Sequence, residues 1–411
     1  LFGFELALAR CRLTPQTIMT PLFRKFLGLN WILLATMLGL LVFGVFAIYS
    51  ACWMREGEGL SQVWRVQIKS IVVGLVFFFA ATLIDYKWVK WAGIPFYLLG
   101  IGLLLFTITN GIEVNDQKGW IRLPGGRTLQ TSQIAIAGGI IFLGMTLSGL
   151  HKLHPIFRNH FLRLMVAGLV GGVPFLMVLS TGDFGSAIVW MPVIAAMVLV
   201  GSIPFRYLIV IVLMATMFLP PVFYFGLKEY QKKRITVPID MLMGRKVDTR
   251  GVAWSAHNNI LAIGSGGFTG KGFKNPDTMN HKAFITPATA INDFIFAVLA
   301  EEHGFRGAIL MLVGFLLLLL QCLFVAFFSR DMLGRLIVVG VVGLIFAHTF
   351  QNVGMNLLLM PITGIPLPFI SFGGTFVVIV MFLMGLVQSV WVHRVQYDAP
   401  QMDGLNVDHL S

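Results

Sequence analysis

The residue best placed to do chemistry is Asp293, in the stretch AFITPATAINDFIFAVLAEE (Ala283–Glu302). The stretch begins as a polar loop with Thr and Pro and ends as an apolar helix that still carries Glu301 and Glu302. A carboxylate at the edge of so apolar a segment is costly unless something pairs with it or uses it. Its plain structural reading is a helix N-cap, because Asp accepts from first-turn N–H groups. Its chemical reading is a general base. Glu301 and Glu302 follow at a helical distance of ~12–14 Å. A retaining glycosidase needs two carboxylates about 5 Å apart, so no such dyad lies within this stretch if it is helical.

Other polar groups are few. Asp183, in TGDFGSA, either caps a helix starting near Ser186 or serves a site. Lys228, Lys232, Lys233 and Arg234 form a basic cluster: a headgroup collar on one reading, a pyrophosphate or anionic-lipid grip on the other. The planar fork of a guanidinium favours Arg234 for such a grip. The run IGSGGFTGKGF (Ile263–Phe273) contains Gly266 and Gly267 and fits neither nucleotide fingerprint. A P-loop needs Gly where Ser265 stands and Ser or Thr where Gly272 stands, and a dinucleotide loop needs Gly at Thr269. It reads as a turn or as backbone N–H groups offered to an anion. His151, His154 and His160 read as interfacial anchors beside Lys152, Arg158 and Arg163. Cys11, Cys52 and Cys322 suggest neither a disulfide framework nor a metal site.

These groups must be positioned by a very apolar chain. Of 411 residues, 57% are hydrophobic and 12% charged, more than a soluble core can use. We read an all-α integral membrane protein with about ten transmembrane helices: 30–52, 66–84, 93–109, 131–149, 164–181, 186–201, 207–225, 305–328, 334–358 and 375–393. Residues 1–29 form a basic cytoplasmic lead-in, 30–225 the first seven helices, 226–304 a large extracytoplasmic loop carrying Asp293, 305–394 the last three helices, and 395–411 a cytoplasmic tail. With both termini cytoplasmic, short inner segments hold roughly twice the Lys and Arg of short outer loops. The net charge of +12 therefore points to topology and anionic partners, not to nucleic acid. The outer segment Asn110–Gln130 is polar and turn-rich. NNILAIG suggests a short amphipathic helix, and the prolines of PITGIPLPFISFGG (Pro361–Gly374) make a rigid cap.

Several blocks in this order resemble the RodA/FtsW (SEDS) peptidoglycan polymerases over nearly the whole chain. They are GWIRLPG (Gly119–Gly125), DFGSA (Asp183–Ala187), YQKKR (Tyr230–Arg234), AIGSGGFTGKG (Ala262–Gly272), DFIFAVLAEEHG (Asp293–Gly304), QNVGMN (Gln351–Asn356) and GIPLPFISFGG (Gly364–Gly374). The GSGG and IPLPFISFGG versions are closer to RodA. The resemblance implies an inverting glycosyltransferase of the bacterial cytoplasmic (inner) membrane that polymerises lipid II for cell-wall elongation and rod shape. It implies Asp293 as the catalytic residue. Its expected partners are a class B penicillin-binding protein and other membrane proteins of the elongation complex.

Candidates for substrate contact are Arg234, Trp120, Arg122, Lys118, Lys282, Gly266, Gly267 and Ser371. Candidates for supporting the site are Gln130, Ser132, Gln133, Asp183 and Glu301. A divalent cation, Mg or Mn, is a candidate aid to the pyrophosphate leaving group. Where the family typically reads QPSELAK, this chain reads QTSQIAI (Gln130–Ile136), with Gln133 for Glu and Ile136 for Lys. Where the family reads FLPExHTD, this chain reads FITPATAIND (Phe284–Asp293). Two other classes stay open at this point: a non-catalytic scaffold of the elongation complex and a transporter of lipid-linked precursors.

Overall fold

The computed structural model describes residues 25–53, 60–114, 117–122, 128–201, 203–207, 209–210, 213, 217, 229–247 and 252–394. Its elements in order are α1 (Trp31–Ala51), α2 (Val63–Leu83), α3 (Tyr86–Asn110), β1 (Ile112–Val114), β2 (Gln117–Arg122), β3 (Thr128–Gln130), α4 (Thr131–Leu153), α5 (His160–Ser180) and α6 (Phe184–Val200). Then come α7 (Glu229–Leu242), α8 (Val252–Ser265), α9 (Pro287–Ile291), α10 (Ile295–Phe327), α11 (Met332–Asn356) and α12 (Gly374–Val392).

Short polar residues between apolar runs set the helix starts. The side chains of Asn30, Asp85, Asn159, Asp183 and Asp331 each accept a first-turn N–H of the helix that follows. Among the described residues, eight helices are long and apolar enough to cross a membrane, and α6, at 17 residues, is a shorter apolar helix. The expected helix 207–225 and both terminal segments fall largely outside the described residues. The amphipathic helix expected around NNILAIG is α8.

α11 is the pillar of the bundle: 78% of its apolar window is buried in protein, against 22% for α3, which faces outward. Around it, α2 packs along α12, α3 along α4, and α6 and α10 against α11.

One expectation changes. Within 110–130, residues 112–114, 117–122 and 128–130 form an antiparallel sheet of order β1-β2-β3, with Trp120 opposite Ile112 on one side and Gln130 on the other. Strands this short carry too little alternation to stand out from turns. The helix expected at 305–328 is the membrane-length arm of α10, which ends at Phe327; a short arm from Ile295 precedes it across a break at Gly304 (φ 66°, ψ −165°), backbone that favours glycine. Glu301 and Glu302 lie in that short arm.

Candidate active site

Asp293 sits between α9 and α10, and it is not a cap. Phe294 occupies the N-cap position of α10 and no side chain bonds the first-turn N–H groups. The plain structural reading of Asp293 is therefore overturned. Neighbouring segments fix its backbone. The Ser371 hydroxyl donates to the Asn292 carbonyl (2.6 Å) and accepts the Leu367 N–H (2.7 Å), while the Phe372 N–H donates to the Ile291 carbonyl (2.9 Å). Gln67 of α2, fully buried, donates to the Ser371 carbonyl and accepts the Gly373 N–H, both at 3.3 Å. The Pro-rich cap expected at 361–374 is thus stitched to the Asp293 loop. Gly364, at φ +69°, lies so close that a Cβ there would be 3.2 Å from Oδ2 of Asp293.

The carboxylate is half-buried and looks into a cavity of about 810 Å³. Its polar lining is Gln117, Trp120, Gln130, Asp183, Asn292 and Asp293. Its apolar lining includes Val66, Val73 and Phe77 of α2, Phe96 and Leu99 of α3, and Ile379 and Phe382 of α12. From Val66 to Phe77 it follows α2 for ~16 Å. Asp183 does cap α6, its Oδ1 accepting the Ser186 N–H at 3.0 Å. Its Oδ2 also accepts from Ser132 Oγ (2.9 Å) and Gln130 Nε2 (3.1 Å). The three elements β3, α4 and α6 meet there, and the Lys118 N–H of β2 donates to the Thr181 carbonyl (2.9 Å). Burial pushes the Asp293 carboxyl up to about 6; the Arg234 charge opposes this and the Asp183 charge adds to it. Among the described residues, no side chain bonds the Asp293 carboxylate.

The candidate residues divide. Asp293, Asp183, Trp120 and Gln130 line one cavity. Ser132 and Gln133 stand behind it, the Gln133 amide 3.5 Å from Ser186 Oγ, and Ile136 is core. Arg234 acts on Asp293 by charge, and its carbonyl accepts the Ile362 N–H (3.1 Å). Lys228 lies outside the described residues, and Lys232 pairs with Glu229 (2.9 Å). Lys118 and Arg122 are exposed beside the cavity, not in its wall.

Two expectations are corrected, those for Ser371 and for Gly266 with Gly267. Both sides of the Ser371 hydroxyl are taken by backbone, not by substrate. Lys282 forms an exposed pair with Asp277 (3.0 Å). Glu301 is fully buried and accepts from Lys271 Nζ (2.6 Å), the Met279 N–H (2.7 Å) and Ser265 Oγ (3.3 Å). Gly266 and Gly267 offer nothing to an anion. Their loop wraps the α10 bend: the Lys271 and Gly272 N–H groups donate to the Glu301 and Glu302 carbonyls, and the Phe305 N–H to that of Gly267. This clasp fastens the outer loop to α10.

Among the described residues no three His, Cys, Asp or Glu cluster into an all-protein metal cage; a divalent ion carried by substrate phosphates needs only one or two carboxylates, and Asp183 and Asp293 both line the cavity.

Fold and site together define a multi-pass membrane protein with a carboxylate-lined cavity at the ends of its helices. The chain belongs to the FtsW/RodA/SpoVE family of cell cycle proteins, whose family model matches residues 30–396. Relatives are named peptidoglycan glycosyltransferases. RodA of Treponema pallidum (strain Nichols) is 28% identical over 88% of this chain and 97% of its own length. MrdB of Escherichia coli (strain K12) is 28% identical over 88% and 93%. A probable FtsW of Geobacter sp. (strain M18) is 30% identical over 89% and 98%. Among solved structures, a chain of a peptidoglycan synthase complex studied for its coordination of polymerization and crosslinking shares the fold (TM-score 0.73, 23% identity, 90% of this chain and 99% of that one). So does the rod shape determining protein RodA of Thermus thermophilus (TM-score 0.64, 21% identity, 90% and 98%).

Proposed function

We propose that this chain is a peptidoglycan glycosyltransferase that polymerises lipid II, with Asp293 as its general base. The observation that carries the reading is a carboxylate that caps no helix and opens into a cavity lined by both polar and apolar side chains. A lipid-linked sugar pyrophosphate has the same two-part chemistry: its polyprenyl chain suits the wall of α2, α3 and α12, and its sugars suit the polar lining with Trp120, Gln130 and Asp183. The acceptor sugar hydroxyl attacks the anomeric carbon of the donor. The new C–O bond forms as the bond from the anomeric carbon to pyrophosphate breaks, and Asp293 takes the hydroxyl proton. A carboxyl titrating at about 6 is ionised at neutral pH yet more basic than an exposed Asp. One displacement turns an α-linked donor into a β-1,4 product, so a second nucleophilic carboxylate is not required.

The leaving pyrophosphate needs cations, not an acid. Arg234, whose charge already bears on Asp293, is the protein's own candidate, with Lys118 and Arg122 at the rim. No step is assigned to a metal ion. The membrane is the bacterial cytoplasmic membrane, with both termini inside and 226–304 outside. The partner is a class B penicillin-binding protein, in keeping with the synthase complex whose fold this chain shares. A transporter would line a path through the bundle with ionisable side chains. Among the described residues the buried charges are Arg163, Asp183, Glu301 and Glu302, each near a helix end or bend. Asp293→Asn protein, assayed with its partner, is expected to make no glycan polymer from lipid II. Polymer formation at the wild-type rate would end this reading, and an inert wild type would favour the scaffold.

A further inference from the structure

α11 is an apolar, buried helix, yet it carries Asn352 and Asn356 on one face, four residues apart, both with no exposed surface. The N–H groups of both amides are spent, while Asn356 Oδ1 is buried with no partner among the described residues. Asn352 Nδ2 donates to the Asp293 carbonyl (2.9 Å) and to the Ile365 carbonyl (2.7 Å). Asn356 Nδ2 donates to the same Asp293 carbonyl (3.2 Å) and to the Asn352 carbonyl (2.8 Å).

The Asp293 carbonyl needs these donors because its own helix does not use it. The first turn of α10 bonds back to Phe294, through the Ala297 and Val298 N–H groups (3.0 and 3.3 Å). Without the asparagines a buried carbonyl would stand unpaired. The second target matters as much. Ile365 follows Gly364, where a Cβ would stand 3.2 Å from Oδ2 of Asp293. One side chain, Asn352, therefore pins both the backbone that carries the carboxylate and the backbone that limits where it can swing.

We propose that Asn352 and Asn356 are positioning residues for the Asp293 base, holding its carboxylate in the cavity and against the reacting hydroxyl. The inference rests on Asp293 being the base. Polymerisation depends steeply on such placement, since an error of about 1 Å can cost ~100-fold in rate.

A purely structural role would lower the amount of folded protein and leave the chemistry of the survivors unchanged. A positioning role changes the chemistry itself. The charged groups that bear on Asp293 are Arg234 on α7 and Asp183 before α6; His348 on α11 faces the Pro366 carbonyl (3.1 Å), and Glu301 and Glu302 on α10 face Lys271 and Ser50. All of these are retained in the variants.

The test uses the full-length chain with a class B penicillin-binding protein and fluorescent lipid II, comparing wild type, Asn352→Ala and Asn356→Ala by kcat, KM and pH profile. Asn352→Ala is expected to lower kcat about tenfold or more with KM within about twofold. Its acid limb should move to lower pH as the loosened carboxylate reaches water. Asn356→Ala leaves both Asn352 bonds in place and is expected to show the same changes at smaller size, so it carries the test if Asn352→Ala does not fold. An unchanged kcat, or a fall in kcat with an unmoved acid limb, overturns the inference. An active Asp293→Asn control instead overturns the assignment of the base, so the two failures are told apart.

Discussion

Replacing Asp293 by Asn should make the protein more stable while silencing it. The reasoning starts from burial, which holds the carboxyl at about 6 against an ordinary 3.8. The native state therefore keeps its proton to a higher pH than the unfolded state does. By linkage, stability falls as pH rises through that window, and the ionised carboxylate costs the native state about 3 kcal/mol above pH ~7. Because the carboxylate is partly open to the cavity, about 2 kcal/mol is the safer figure. Asn has nearly the same shape and no charge to desolvate, so the variant escapes this cost. The gain should be full at pH 8, about half that at pH 5, and absent below pH ~4, where both states are protonated. Thermal unfolding of purified wild type and variant in one detergent at these pH values measures it, with a rise in Tm of a few degrees expected at pH 8. A variant that is less stable, or a gain that does not depend on pH, would refute the picture of a desolvated charge that Arg234 compensates only in part.

Other outcomes follow from the same geometry. Arg234→Gln removes the charge that holds the Asp293 carboxyl down, so the acid limb of polymerisation should move to higher pH, with a larger loss at pH 6.5 than at pH 8. Lys271→Met leaves Glu301 buried without its cation and should cost about 2–3 kcal/mol; Lys271→Met with Glu301→Leu should recover most of that, read as Tm. Gly364→Ala adds a Cβ 3.2 Å from Oδ2 at a left-handed backbone position and should lower kcat about tenfold or more while leaving expression near wild type.

Much of this was legible in the chain. Apolar runs of membrane-spanning length, punctuated by Asn and Asp, gave the bundle, because a helix is the local answer to satisfying backbone groups in lipid. Asp293 stood out because a carboxylate is rare in such surroundings. The partition of the remaining candidates was not legible, since it depends on which loops touch. Glu301 and the glycine run looked like site chemistry until the bend at Gly304 showed them fastened to each other. Ser371 looked like a ligand, and its hydroxyl proved to be spent on backbone. The residues that reading by motif left without a role, Gln67, Asn352 and Asn356, had a signal available. Each is an amide inside an apolar helix, where an unpaired polar group is too costly to keep. Ile136, where the family typically has Lys, lies in the core. Asp293 thus takes its basicity from burial, with only the Arg234 charge set against it.

The most direct measurement is lipid II polymerisation by the purified chain with its transpeptidase partner, comparing wild type with Asp293→Asn at pH 7.5. Polymer from the wild type and none from a folded variant is the predicted result. Equal polymer from both, or none from either, would contradict the assignment of Asp293 as the working base.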